Sequence, residues 1–129
     1  MLLDGKKLAS QIKESIRSNI INKGITPGLG VIIVGDRKDS ALYVRMKNKA
    51  CNEVGITSKI IKLSENVSTE NVLFIIDMFN SDNDVHGILV QLPLPEHINE
   101  DKVLSRVAIN KDVDGFHATN IGNLAMEKR

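Results

Sequence analysis

The residue most suggestive of chemistry is a lysine on the wrong side of a helix. Turned at about 100° per residue, Ser40–Val54 (SALYVRMKNKACNEV) makes a helix whose apolar arc holds Leu42, Met46, Ala50, Tyr43, Val54, Cys51 and Val44. Arg45, Asn48, Lys49 and Asn52 fall opposite, whereas Lys47 falls inside the arc, between Val54 and Cys51. Tyr43 lies one turn earlier on the same face. An inward lysine that loses its water sheds its proton more readily, which makes Lys47 a candidate general acid/base and Tyr43 a neighbouring flat surface or hydroxyl donor. The competing reading is that the stem runs past the core edge and the ammonium reaches water, the commoner fate of a lysine taken alone.

Composition narrows what such a group could serve. At 129 residues the chain can form one domain with a proper core, and a net charge of +1 leaves no electrostatic footprint for nucleic acid. Aromatic residues make up 3%, too few for a base-stacking surface. No signal-peptide core is seen in Met1–Lys7 and no apolar run is long enough to span a bilayer, so no membrane partner is expected. Cys51 is the only cysteine, which excludes an internal disulfide and suggests a buried thiol in a reducing, cytoplasmic compartment. His86, His97 and His117 lack ligand spacing, so no metal is expected.

The elements that must position Lys47 follow from periodicity. Asp4 can cap a first helix with Leu8, Ile12, Ile16 and Ile20 recurring every fourth residue and Gly24 ending it. Leu29–Val34 is a continuous apolar run, the mark of a strand buried on both faces, and it stops at Gly35-Asp36-Arg37-Lys38-Asp39 before the Lys47 helix, which Gly55 closes. Thr57–Leu63 reads as a less apolar strand near an edge. Ser68 caps a third helix with Val72, Ile75, Ile76 and Phe79 inward. Val85–Val90 is a third strand, stopped by Pro93 and Pro95, and Asn99 can cap a short helix through Val107. This alternation predicts an α/β fold: a three-layer α/β/α domain, residues 1–129, around a small parallel sheet of three to four strands. Gly28-Leu29-Gly30 is not a dinucleotide fingerprint, because those glycines precede their strand and a phosphate-cradling loop follows one.

Ligands of open parallel sheets bind outside the carboxyl ends of the strands. Strand one ends at Gly35-Asp36, and the helix leaving it is expected to carry Tyr43 in its first turn and Lys47 in its second. Gln91 should reach the same rim from strand three, and Lys111-Asp112-Val113-Asp114-Gly115-Phe116 forms a charged loop without periodicity. Singly, each has a structural explanation: Gln91 as a strand end, Asp114-Gly115 as a turn, the prolines as punctuation. Asp112–Gly115 lacks the remaining positions of a calcium loop.

Taken together these blocks resemble a known family. Gly35-Asp36-Arg37 with Ser40, Tyr43 and Lys47, then Gly87-Ile88-Leu89-Val90-Gln91-Leu92-Pro93-Leu94-Pro95, then Lys111–His117 with Asn120-Ile121-Gly122, and the opening Leu3-Asp4-Gly5-Lys6, are similar to the bifunctional methylenetetrahydrofolate dehydrogenase/methenyltetrahydrofolate cyclohydrolases of the FolD type. The resemblance covers nearly the whole chain. It implies a tetrahydrofolate substrate, interconversion of its 5,10-methylene, 5,10-methenyl and 10-formyl forms, and NADP bound by a further Rossmann domain that this chain lacks. It implies Lys47 as the acid/base, Gln91 holding and tuning it, Asp114 on the pterin, Tyr43 stacking on the folate, Ser40 supporting the pocket, and Leu92 and Pro93 shaping its wall. A homodimer is implied for the full-length protein. Ile109 and Ala118 stand where the family usually has proline, which is expected to loosen the Asp114 loop. Two other readings stay open: a folate-binding or cyclohydrolase-only fragment, and a non-catalytic α/β interaction module in which Lys47 merely reaches water.

Overall fold

The computed structural model describes residues 4–126; Leu3 of the opening block and 127–129 of the closing Met126–Arg129 lie outside the described residues. The elements run α1 (Gly5–Lys23), β1 (Gly28–Val34), α2 (Lys38–Val54), β2 (Thr57–Leu63), α3 (Thr69–Ser81), β3 (Gly87–Val90), α4 (Glu100–Arg106), a 3-10 turn (Ile109–Lys111) and α5 (Ala118–Ala125). The sheet is parallel with order β2-β1-β3. The apolar β1 run is therefore central and the more polar β2 is an edge, as its composition requires. Three strands are paired in full; at the free edge of β3 a single parallel bridge joins Ile88 to Asp112.

The starts of α1, α3 and α4 follow from a side chain that accepts an otherwise unpaired backbone N–H, whereas α2 starts after Arg37 without a side-chain cap. Asp4 accepts from Lys7 N at 3.0 Å, Ser68 from Asn71 N at 3.2 Å and Asn99 from Lys102 N at 2.9 Å. Gly24 and Gly55 end α1 and α2 in the left-handed conformation, at φ 60° and 91°. The main core packs α3 and α4 on one sheet face through Val72, Ile76, Phe79 and Val103 against Ile32, Ile88 and Val90. On the other face Val44 of α2 packs on Val31, Ile33 and Leu89. The two glycines rejected as a fingerprint are required by close packing. A Cβ at Gly28 would stand 1.8 Å from the Asp84 carbonyl oxygen, and one at Gly30 would stand 2.6 Å from the Phe79 ring.

Three expectations need correction. The line of α2 that faces the sheet is Ser40, Val44, Lys47, Cys51 and Val54, with Ser40, Val44 and Val54 buried; Leu42 and Met46 are 51% and 59% exposed. The apolar arc was drawn toward the large side chains, whereas the close approach to the sheet uses small ones. Because α2 starts at Lys38, Tyr43 is in its second turn and Lys47 in its third. Helix α1 has the expected caps but no buried residue: Leu8, Ile12 and Ile16 are exposed, and the helix rests on α2 through Lys13–Glu53 (2.6 Å) and Ile20 beside Gly55. No described helix is long and apolar enough to cross a membrane.

Candidate active site

Backbone pairing carries the site residues to one rim. Gln91 N donates to Ile32 O at 2.9 Å, extending the β1–β3 ladder one step beyond Val90 and fixing where the Gln91 side chain begins. Lys47, from the sheet-facing line of α2, reaches the same place: its Nζ donates to Gln91 Oε1 at 3.1 Å. The Gln91 amide nitrogen donates to Leu92 O at 2.9 Å. That second bond sets the amide with its oxygen toward the lysine, so Gln91 holds Lys47 through an acceptor alone. An amine and an ammonium both have a proton to offer that oxygen, so the contact survives either protonation state. Lys47 is half-buried, its ammonium held by this side chain at the rim.

Asp114 is the third member. It is exposed, yet burial around its carboxyl raises its pKa above the ordinary value, the Lys47 ammonium pulls it back and the Asp112 carboxylate adds to the rise. Asp114 therefore lies within electrostatic reach of Lys47. Asp112, two residues earlier, behaves oppositely. Burial opposes its ionisation, but the Asn120 amide and the backbone N–H groups of His117, Phe116 and Gly115 together hold its pKa below the ordinary value. The paired carboxylates of the charged loop thus divide into one tied down by hydrogen bonds and one within electrostatic reach of the lysine.

The remaining expected residues take different places. Tyr43 is 56% exposed, one turn before Lys47, with its ring available to a ligand. Ser40 is 4% exposed, beneath the rim. Leu92 is half-buried and precedes Pro93 across a cis peptide bond. Pro93 lines a cavity of about 470 Å³ with Gly35, Arg37, Glu65, Asn66 and His97. Lys47, Gln91 and Asp114 are not in that lining, so cavity and cluster are neighbours that meet at the Gln91–Pro93 corner. Among the described residues no group of histidine, cysteine or carboxylate side chains could hold a metal ion.

Sequence reasoning missed two anchors of the loop. Lys111 donates to the carbonyl oxygens of Phe79 (3.0 Å), Asn80 (2.8 Å) and Asp82 (3.0 Å), closing the C-terminus of α3. Asn120 of α5 donates to Ile109 O at 3.1 Å and Asp112 Oδ2 at 2.9 Å, tying together the segment flanked by Ile109 and Ala118, where prolines were expected. The Asn120 anchor could not be seen without knowing that 118–125 is helical, and the Lys111 anchor could not be seen without knowing that its loop lies against the end of α3. Gly28 and Gly30, expected ahead of their strand, lie within β1 itself, and the space a Cβ would take at each is filled by the Asp84 carbonyl oxygen and the Phe79 ring.

Comparison with known proteins gives this arrangement a context. The family model described as tetrahydrofolate dehydrogenase/cyclohydrolase, catalytic domain, matches residues 3–114. A chloroplastic bifunctional FolD protein of Arabidopsis thaliana is 53% identical over 133 aligned positions, covering 100% of this chain and 37% of its own length. The bifunctional methylenetetrahydrofolate dehydrogenase/cyclohydrolase of Campylobacter jejuni superposes with a TM-score of 0.95 at 46% identity, over 100% of this chain and 47% of that one. The Trypanosoma brucei dehydrogenase-cyclohydrolase, solved with NADP and an inhibitor, gives 0.94 at 35% identity, over 100% of this chain and 45% of that one. The chain thus spans less than half the length of these relatives.

Proposed function

The chain belongs to the tetrahydrofolate dehydrogenase/cyclohydrolase family, and on that premise we propose that it is the folate-binding catalytic domain of an enzyme interconverting 5,10-methylene-, 5,10-methenyl- and 10-formyl-tetrahydrofolate. The observation that carries the reading is the Lys47–Gln91 contact at 3.1 Å on the strand rim, with Asp114 in electrostatic reach.

In the hydrolytic step a water adds to the methenyl carbon. Its oxygen forms the new C–O bond, and its proton passes to the Lys47 amine. The bond from that carbon to the pterin ring nitrogen then breaks, Lys47 returns the proton to that nitrogen, and the remaining hydroxyl proton is released to solvent as the C=O forms, leaving the 10-formyl product and one proton. A cationic methenyl group beside Lys47 favours the amine that this step requires. Gln91 Oε1 holds Nζ throughout, Tyr43 stacks on the folate, and Asp114 accepts from the donor-rich pterin edge. Leu92 and Pro93 form the wall, with Ser40 packed below.

NADP, when bound, supplies the hydride acceptor for the oxidation of the methylene form. It is assigned to a further domain of the whole protein, a reading supported by the relatives' greater length and the Trypanosoma complex. Homodimerisation of the whole protein rests on the resemblance alone. A cytoplasmic setting rests on the lone half-buried Cys51, set against a relative named for the chloroplast.

Two measurements test the proposal. Calorimetric titration of the chain with tetrahydrofolate should show saturable binding, and absence of binding overturns the substrate assignment. In the whole protein, Lys47→Met should slow the spectrophotometric loss of methenyltetrahydrofolate by about 10²- to 10⁴-fold, the usual contribution of a general acid/base. Turnover within a factor of about 3 of the parent excludes Lys47 as that group.

A further inference from the structure

The folate reading uses Asp114 and leaves Asp112 without a task, although Asp112 makes more hydrogen bonds than any other carboxylate of the loop. Its Oδ1 accepts from Gly115 N at 3.1 Å and Phe116 N at 3.3 Å. Its Oδ2 accepts from His117 N and from the Asn120 amide, both at 2.9 Å. Resting on the folate reading of Asp114, we propose that Asp112 is a positioning residue of the site: its carboxylate winds the following backbone around itself and so fixes the turn that carries Asp114.

The geometry makes this specific. Donors at the third, fourth and fifth residues after Asp112 all point back at one carboxylate, so the chain between, which carries Asp114, must curve around it. Gly115 completes the curve at φ 69°, in the left-handed region that glycine occupies without strain. The hub is itself anchored, because the Asp112 backbone bridges to Ile88 at the edge of β3. The Val113 side chain lies on the bare backbone of Gly87, where an added Cβ would be 2.5 Å from its Cγ1. Rotation of the loop therefore requires either loss of these four bonds or displacement from the sheet.

An asparagine at position 112 retains one acceptor oxygen and turns an NH₂ group toward donors, so Asp112→Asn separates the charge and half the bonds from the side-chain volume. Amide NMR spectra of the chain are compared for the parent, Asp112→Asn, Asp114→Asn and the double variant, with tetrahydrofolate titrated into each. Asp112→Asn should shift the Gly115, Phe116 and His117 amides and speed their exchange by about tenfold while β1 amides keep their protection. It should weaken tetrahydrofolate binding by about tenfold, and the double variant should bind no more than about twofold worse than Asp114→Asn alone. Equal losses from Asp112→Asn with and without Asp114, or unmoved loop amides, overturn the proposal. Should Asp114→Asn bind as the parent does, the folate role of Asp114 has failed and positioning for folate falls with it; the amide signals separately report whether Asp112 holds the turn.

Discussion

Replacing Lys111 with methionine keeps the length and packing of the stem and removes only the ammonium. All three of its N–H groups are committed, to the carbonyl oxygens of Phe79, Asn80 and Asp82 at 2.8–3.0 Å, and these belong to the last turn and cap of α3. Hydrogen bonds to a charged donor contribute about 1.5–3 kcal/mol each when deleted, but the site is half-exposed and water can solvate part of what is left bare. The sum is then close to a single such bond, about 2 kcal/mol, with about 0.5 kcal/mol more from a positive charge at a helix C-terminus. With a urea dependence of about 2 kcal/mol per molar, the unfolding midpoint should fall by about 1 M. The assay is urea unfolding followed through the amides of β1 and β3, with Lys111→Arg alongside, whose guanidinium cannot reproduce the three-way fit and should lose a smaller amount. A midpoint within about 0.2 M of the parent for Lys111→Met would show that water replaces the ammonium at no cost and would refute the reasoning.

Asp112 and Asp114 should respond to pH with opposite signs. The Asp112 pKa is below the ordinary value, so its ionisation stabilises the fold above that value and the benefit is lost as pH falls through the folded pKa; Asp112→Asn should lower the midpoint at pH 7, with the gap closing as the pH falls below the ordinary carboxylate range. The Asp114 pKa is above the ordinary value, so stability is greatest below the unfolded pKa and is lost as pH rises through the folded one; Asp114→Asn should raise the midpoint at pH 7 and converge with the parent in acid, and a lowered midpoint would contradict it. Gly30→Ala would press a methyl against three Phe79 ring atoms within 2.9 Å in a core with that ring 4% exposed, costing about 2 kcal/mol and about 8 °C by calorimetry; a drop under about 2 °C means the ring moves aside. Gln91→Glu would set a carboxylate against the Lys47 ammonium and retain its proton, so methenyltetrahydrofolate hydrolysis in the whole protein should fall by about 10²-fold with the melting temperature little changed, and unaltered turnover would count against proton transfer through Lys47.

What could be read in the sequence was whatever local chemistry decides. The caps at Asp4, Ser68 and Asn99 and the left-handed ends at Gly24 and Gly55 depend on a few neighbouring residues, and all are present. The central place of β1 and the edge place of β2 follow from how apolar each run is. The side of α2 that meets the sheet was less legible, because a wheel weighted by hydrophobicity follows Leu42 and Met46 while the packing distance selects Ser40, Val44 and Cys51. Lys47 lies within both arcs, which is why its inward position emerged despite the error. Helix α5 escaped notice: it has eight residues, carries Gly122 and lacks a long apolar stripe. Without it, the distinction between Asp112 and Asp114 could not be drawn, since that depends on backbone donors and an Asn120 amide brought around by the turn.

The lack of any buried residue in α1 has a consequence for how the molecule comes apart. Detaching this helix breaks its contact with α2 and the Lys13–Glu53 pair but leaves both core clusters whole. Its free energy of opening is therefore well below that of the sheet, and Gly24–Pro27 becomes a place for a protease to nick a chain whose centre is still folded. Total helicity and sheet protection would then decline in separate transitions, with the Lys47 cluster surviving into the second.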